Sequence, residues 1–161
     1  MPGDADDLPI NIRKATSEDQ AAITAMVRRA HLNPRNLHWS RFVVAERDRT
    51  IVGIGQVRIY PDGSHELASL VVQPTLRGRG VAAGVIDELL SDDHGDVYTL
   101  IDLPFTQRFQ RWGFRVIDPG ALPRSISRTY RIGRVVTGIA AVVTRRRVRI
   151  VPLKRSAGPR R

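Results

Sequence analysis

From Pro9 the chain alternates apolar and polar side chains through Ile10 and Ile12 to Ala15, the two-residue period of a strand with one covered face. The period then lengthens. Ala22, Ile23, Met26, Val27 and Ala30 recur at helical spacing. Thr16 or Ser17 stands where a first turn needs a capping hydroxyl, and Glu18 and Asp19 follow as first-turn acids. Asn33-Pro34 breaks this helix, because proline disfavours the α region for the residue before it. Leu37 to Trp39 reads as a short second helical piece. Arg41 to Glu46 and Thr50 to Tyr60 read as strands around the Arg47-Asp48-Arg49 turn. Pro61-Asp62-Gly63-Ser64 supplies preset φ, side-chain acceptors and a glycine, so it predicts a tight turn before a short apolar strand over Glu66 to Val72.

Val81 to Leu90 returns to helical spacing, with Val81, Val85, Leu89 and Ala82, Ile86, Leu90 on one stripe. A fifth strand is predicted over Asp96 to Asp102, and a short helix over Phe105 to Trp112 with Gly113 as its C-cap. A sixth strand runs from Phe114 to Ile117. After the loop Asp118 to Pro123, Arg124 to Ala141 reads as a helix in spite of Gly133 and Gly138. Val148 to Leu153 closes the series as a last strand. The order is mixed α/β (α+β), with no internal repeat and no interdomain linker. It predicts one domain over residues 9–153, with 1–8 and 154–161 as flexible termini.

Composition narrows the classes. A chain of 161 residues suits one core. The absence of cysteine excludes disulfides, thiolate metal sites and a cysteine nucleophile. His31, His38, His65 and His94 lack metal-ligand spacing, so no metal site is expected. No apolar run approaches the ~18–20 residues of a membrane span. The acidic N-terminus lacks a signal-peptide apolar region, so a cytoplasmic protein without membrane partners is expected. The net charge of +10 is carried almost wholly by arginine. Such a field attracts polyanions, whether nucleic acid or a phosphorylated cofactor. Its cations concentrate at Arg145-Arg146-Arg147-Val148-Arg149 and in the tail from Lys154.

The densest chemistry lies in Leu70-Val71-Val72-Gln73-Pro74-Thr75-Leu76-Arg77-Gly78-Arg79-Gly80-Val81-Ala82. A strand, a glycine-punctuated loop and a helix start follow one another. Unpaired N–H groups and the positive end of a helix dipole then converge on one point, which suits a phosphate or pyrophosphate. Gly78 and Gly80 admit close approach of an anion, and Arg77 and Arg79 add charge. This is not a Walker loop, since no Gly-Lys-Ser/Thr follows. Nor is it the dinucleotide fingerprint, since Gly80 is followed by Val81, Ala82, Ala83 and Gly84.

This stretch resembles the GNAT superfamily of acetyl-CoA-dependent N-acetyltransferases. Arg77-Gly78-Arg79-Gly80-Val81-Ala82 fits that family's Arg/Gln-x-x-Gly-x-Gly/Ala signature, and Val72-x-Pro74-x-x-Arg77 its usual approach. Downstream, Arg108-Phe109-Gln110-Arg111-Trp112-Gly113-Phe114 occupies the place of the family's Phe-Tyr-x-x-x-Gly-Phe segment. The resemblance covers residues 9–118. It implies a mostly antiparallel mixed sheet of about seven strands, flanked by helices and splayed at the central strands. It further implies that acetyl-CoA's pantetheine arm pairs with Leu70, Val71 and Val72, and that the N–H groups of Arg77, Gly78, Arg79, Gly80, Val81 and Ala82 hold the pyrophosphate. An N–H near Val71 would polarise the thioester carbonyl, a contact of a kind worth ~2.7–4 kcal/mol elsewhere.

The acceptor is then a primary amine, which needs a base. Glu66 is the candidate, acting directly or through water; otherwise it is a strand-edge residue or pairs with an arginine. His65 reads as turn or surface. Asp102 either binds the acceptor amine or caps the following helix. Arg35 and Trp39 are candidate acceptor-binding residues, Arg35 toward a carboxylate. One departure stands out. The family's usual proton donor is a tyrosine, and the matching residue here is Phe109, which packs against the cofactor instead. Tyr98, Tyr130 or Ser69 could supply the proton, or the thiolate leaves unassisted, a thiol pKa near ~8.5 making it a tolerable leaving group. Three functions therefore stay open: an N-acetyltransferase, a non-catalytic acetyl-CoA-binding regulatory module, and a basic nucleic-acid-binding protein. A homodimer is possible in each.

Overall fold

The structure is a computed structural model and describes residues 9–92, 94–132 and 148–158. Seven strands form one sheet in the order β1-β2-β3-β4-β5-β7-β6. The strands are β1 (Asn11–Lys14), β2 (Phe42–Arg47), β3 (Thr50–Ile59), β4 (His65–Val72), β5 (Val97–Asp102), β6 (Arg115–Val116) and β7 (Ile150–Arg155). The helices are α1 (Gln20–Arg29), α2 (Val81–Leu89), α3 (Thr106–Phe109) and α4, residues 124–132. The chain divides into two compact units. Ala68–Asp92 joins the residues up to Arg58, and Ile59–Leu67 joins those after Asp93.

In the first unit β1 and β2 pair antiparallel from Asn11↔Glu46 to Lys14↔Val43. β2 pairs antiparallel with β3, with a bulge at Ala45/Glu46. Asp48 and Arg49 turn the β2–β3 hairpin with φ of +47° and +60°, the paired positive values of the turn that matches strand twist. Ile23, Met26 and Val27 of α1 bury against Phe42, Val44 and Ile54. Arg13 ties the entrance to this helix. Its two terminal nitrogens donate to the Asp19 carboxylate at 2.8 and 3.1 Å, and Nε donates to Glu46 Oε2 at 2.9 Å. These bonds, chiefly those from Arg13, hold the Asp19 carboxylate below its usual range. Asp19 also accepts the Thr16 N–H at 2.7 Å, the reciprocal half of a capping box.

The α2 stripe, Val81, Val85, Ile86 and Leu89, is buried as its spacing predicts. What lets the helix approach is on β3. A Cβ at Gly53 would lie 2.9 Å from Val81 Cγ1, and one at Gly55 2.9 Å from Val85 Cγ1. Positions two apart on a strand share a face, and positions four apart on a helix share a stripe. Two missing side chains on β3 thus receive two valines of α2, and the helix start is set down close to the sheet.

In the second unit β4 and β5 run parallel through His65↔Val97, Glu66↔Tyr98 and Leu67↔Thr99. β7 then pairs antiparallel with β5 over Val97↔Arg155 to Asp102↔Ile150, and with β6. Leu122, Ile126 and Tyr130 form the buried cluster, packed by Tyr60, Tyr98, Leu100, Ile117 and Ile150. Three elements differ from the sequence reading. The helix over Phe105 to Trp112 is four α residues between two 3-10 turns, since Pro104 enters the first and Gly113 (φ +80°) ends the second. β6 is only two residues long. β7 runs past Leu153 to Arg155, because Lys154 pairs with Asp96 at 2.7 Å and Ala157 N–H donates to Asp96 Oδ1 at 3.0 Å. Lys154 and Arg155 are therefore strand and not tail. The expected helix begins at residue 124; its continuation to Ala141, the cluster Arg145 to Arg147 and the end from residue 159 lie outside the described residues, as do residues 1–8. No described helix is long and apolar enough to cross a membrane.

Candidate active site

The glycine loop has the geometry its residues predict. Gly78 and Gly80 take φ of +78° and +80°, and an added Cβ at either would meet nothing within 4 Å. The glycines are therefore required by conformation, and the space beside the backbone is open. Gly80 is the N-cap of α2, and its carbonyl accepts the first helical bond from Gly84 N–H at 3.0 Å. The amides of Val81, Ala82 and Ala83 precede that bond and have no intrahelical partner. With the dipole of α2 they present positive potential to an anion. Arg77 also has a structural task. Its Nε donates to the Val72 carbonyl at 3.2 Å, so the side chain pins the loop back to the end of β4. Gln73 fixes the same end, its N–H donating to Val52 O at 2.8 Å and its amide to Ile51 O at 3.3 Å. Arg79 is exposed. The room, the amides and the charge fit a pyrophosphate.

β4 carries a backbone anomaly. Ser69 has φ +54° although it lies inside a strand and is buried. Its hydroxyl is bonded by Gln56 Nε2 at 2.9 Å and approached by Arg58 at 3.5 Å. The parallel ladder with β5 ends at Leu67, where Thr99 Oγ1 donates to the Leu67 carbonyl at 3.0 Å. Leu70 and Val71 are half-buried and Val72 is buried.

Glu66 is buried, 4% exposed, so it is not a surface edge residue. Its Oε2 accepts a 2.5 Å hydrogen bond from the Tyr60 hydroxyl, which also lies 3.3 Å from Thr129 Oγ1. Tyr60 was not singled out in the sequence. Its signal was the turn Pro61 to Ser64, which brings Tyr60 N–H to the Ser64 carbonyl at 2.9 Å and so sets the flanking strand ends side by side. Asp62 Oδ2 accepts the Ser125 N–H at 3.0 Å and anchors the first turn of α4.

The other candidates separate. Asp102 makes no capping bond to the turn after it; Oδ1 instead accepts the Arg149 N–H at 2.9 Å. Phe109 is buried edge-on against Trp112 and Phe114, at centroid distances of 5.7 and 5.8 Å. Tyr130 hydroxyl contacts the Ile150 carbonyl at 3.4 Å, and Lys154 lies 5.7 Å over the Tyr98 ring. Arg35 is exposed, its N–H donating to Asn33 Oδ1 at 3.0 Å. Trp39 packs on the α1–β2 cluster, and its N–H donates to Gln20 Oε1 at 2.9 Å. His65 is the first residue of β4, half-buried, and 5.7 Å from the His94 ring; burial, and then His94, push its pKa down.

A glycine loop that runs from a strand into a helix beside a mixed seven-stranded sheet defines a class, and the comparisons bear on its family. Residues 38–116 match the family model described as an acetyltransferase (GNAT) domain. By that match residues 38–116 carry a GNAT-type acetyltransferase domain. No curated protein sequence matches it. Among solved structures, N-acetylglutamate synthase from Neisseria gonorrhoeae, complexed with coenzyme A and N-acetyl-glutamate, is similar at TM-score 0.67 and 20% identity over 94% of this chain. This chain spans only 36% of that enzyme. The Mycobacterium tuberculosis protein Rv2747, in complex with CoA and a second ligand, is similar at TM-score 0.67 and 23% identity, over 92% of this chain and 99% of that one. The ribosomal-protein-S18-alanine N-acetyltransferase from Escherichia coli is similar at TM-score 0.63 and 12% identity, over 95% and 97%. At these identities the likeness is one of fold.

Proposed function

We propose that the protein is an N-acetyltransferase that moves an acetyl group from acetyl-CoA to a primary amine of a small molecule, an amino acid or a peptide by direct transfer. The observation that carries the reading is the loop: two glycines at positive φ with open space beside them, running into the start of α2. The solved neighbours bound to CoA, one of them together with an acetylated amino acid, support it.

Acetyl-CoA supplies the activated acyl group. The amides of Gly78 to Ala82 hold its pyrophosphate. Leu70, Val71 and Val72 offer strand backbone to the pantetheine arm, and the Val71 N–H polarises the thioester carbonyl. Glu66 takes one proton from the acceptor ammonium, freeing the lone pair that forms the new N–C bond as the C–S bond breaks, and the nitrogen's second proton is lost to solvent as the amide forms; positioned base catalysis typically contributes ~10²–10⁴-fold. Tyr60 holds the Glu66 carboxylate in one orientation. Phe109 has no proton to give, so the sulfur leaves as thiolate. Arg35 is the candidate reader of an acceptor carboxylate, and Trp39 and Asp102 the other acceptor contacts.

The test is a calorimetric titration with acetyl-CoA followed by a turnover screen over amino acids, small amines and N-terminal peptides. Micromolar binding with turnover of one amine class supports the proposal. Binding without turnover of any amine identifies the non-catalytic acetyl-CoA-binding module that Phe109 favours. No binding overturns both.

A further inference from the structure

Two local costs meet at one point of the first unit. Ser69 holds φ +54° inside β4, a conformation unfavourable for a residue with a Cβ. Gln56 on β3 is 0% exposed, and among the described residues its Oε1 has no hydrogen-bond partner. A buried amide oxygen left unpaired is destabilising. Strain of this kind persists only where the surroundings hold it. The group that holds it is the other end of the same amide: Gln56 Nε2 donates to Ser69 Oγ at 2.9 Å.

We infer that Gln56 is a positioning residue, a clamp that keeps Ser69 in its left-handed bend and so fixes the direction of the amides that follow it. The inference rests on the acetyltransferase reading, in which those amides, Leu70 and Val71, meet the pantetheine arm and the thioester. Gln56 Oε1 is sealed from solvent, so Gln56 does not touch substrate; it acts through Ser69. The ladder to β5 ends at Leu67, two residues before the bend. Arg58, 3.5 Å from the same hydroxyl, makes the longer and weaker of the two contacts.

The clamp and a mere packing role differ in turnover. Gln56→Leu, similar in size and apolar, removes an unpaired oxygen but also the donor to the buried Ser69 hydroxyl, so these two effects on Tm oppose each other in either role. If packing is all Gln56 does, kcat is unchanged; with the clamp, kcat falls ~10–100-fold, the scale expected for displaced reacting groups. KM for the amine changes little. Glycine adopts positive φ without cost, so Ser69→Gly needs no clamp. In the Ser69→Gly background, Gln56→Leu therefore lowers kcat less than ~3-fold, a coupling a double-mutant cycle reads directly. Ser69→Ala, which keeps the strain and removes the hydroxyl, reproduces the Gln56→Leu loss. It stands as the second variant should Gln56→Leu fail to fold.

Amide hydrogen exchange of Leu70 and Val71 in the protein without ligand gives a readout independent of turnover. The clamp predicts exchange at least ~10-fold faster in Gln56→Leu, on the scale of one lost hydrogen bond. Unchanged exchange and unchanged kcat overturn the inference, as does a kcat loss that adds independently to that of Ser69→Gly. Absent acetyl-CoA binding by the unaltered protein overturns the acetyltransferase reading alone, and the exchange result then still decides the clamp.

Discussion

The Gly78–Ala82 loop and the Tyr60–Glu66 hairpin are built on opposite plans. The loop is backbone chemistry: two glycines at positive φ, open space where side chains would be, and helix-start amides as donors. The hairpin is side-chain chemistry: a carboxylate only 4% exposed that accepts from the Tyr60 phenol. A backbone site is lost by adding bulk and is indifferent to most neighbouring residue types. A side-chain site is lost by removing a single oxygen or hydrogen without any change of shape. The same chain can therefore be damaged in two separable ways, one read by binding and one by turnover.

The largest effect belongs to the hairpin. Glu66→Gln keeps the shape and removes the base, so kcat falls by ~10²–10⁴-fold, with acetyl-CoA affinity measured by calorimetry within about threefold of the original. A kcat left within ~3-fold would make Glu66 a structural partner of Tyr60 and break the comparison. The loop comes next. Gly80→Glu places bulk and negative charge where the proposed function puts the pyrophosphate, and acetyl-CoA affinity then falls at least ~100-fold, since every 1.4 kcal/mol is tenfold. Gly80→Ala sharpens the cause. Its conformational penalty of about 1–2 kcal/mol allows a loss of only ~10-fold, so an equal loss in both variants would make backbone strain, not the anion, the reason for the glycine.

The same contrast governs what the sequence made legible. The loop was readable because glycine at positive φ and a helical stripe after it are local requirements, settled within Arg77 to Leu89. The strands and α1 were readable for the same reason of period. Gln56 and Tyr60 were not, because each acts through a partner more than a turn of chain away: Gln56 through Ser69, Tyr60 through Glu66 and Thr129. Nor does composition reveal that Arg77 serves the Val72 carbonyl, since an exposed arginine in a phosphate loop carries charge whichever way it folds. Gly53 and Gly55 lie inside a strand, and only the packing of Val81 and Val85 shows why a side chain cannot stand there.

A smaller effect separates the hairpin's two members. Tyr60→Phe leaves the ring in its cluster and removes the donor to Glu66. A hydrogen bond to a charged group contributes about 1.5–3 kcal/mol, of which only the orienting part reaches the transition state. The expected kcat loss is therefore roughly 10-fold, below that of Glu66→Gln, with acetyl-CoA affinity unchanged. If Tyr60→Phe matched Glu66→Gln in kcat, the phenol would be a proton carrier in its own right, and the hairpin would hold two catalytic groups.

The smallest effect tests whether the hairpin's turn has to be anchored. The Ser64 hydroxyl and the Ser125 N–H hold the Asp62 carboxylate well below the usual range. A depressed folded pKa contributes stability that is present above the unfolded value, about 3.9, and is lost as pH falls through the folded value. Asp62 is exposed, so solvent screens the contribution and the shift in Tm is small. Asp62→Ala should lower Tm by a few degrees near neutral pH, on the scale of about 1 kcal/mol for a lost helix cap. The difference should narrow progressively below about pH 4, where the unfolded chain's carboxylate takes up a proton that the folded carboxylate still refuses, and vanish once pH has fallen through the folded value. Because the anchor joins the turn to α4, and α4 carries the Thr129 that lies beside Tyr60, Asp62→Ala should also lower kcat slightly while leaving the glycine loop's acetyl-CoA affinity untouched. A fall in that affinity instead would mean that the backbone site and the side-chain site fail together, and that their separation is one of construction and not of energetics.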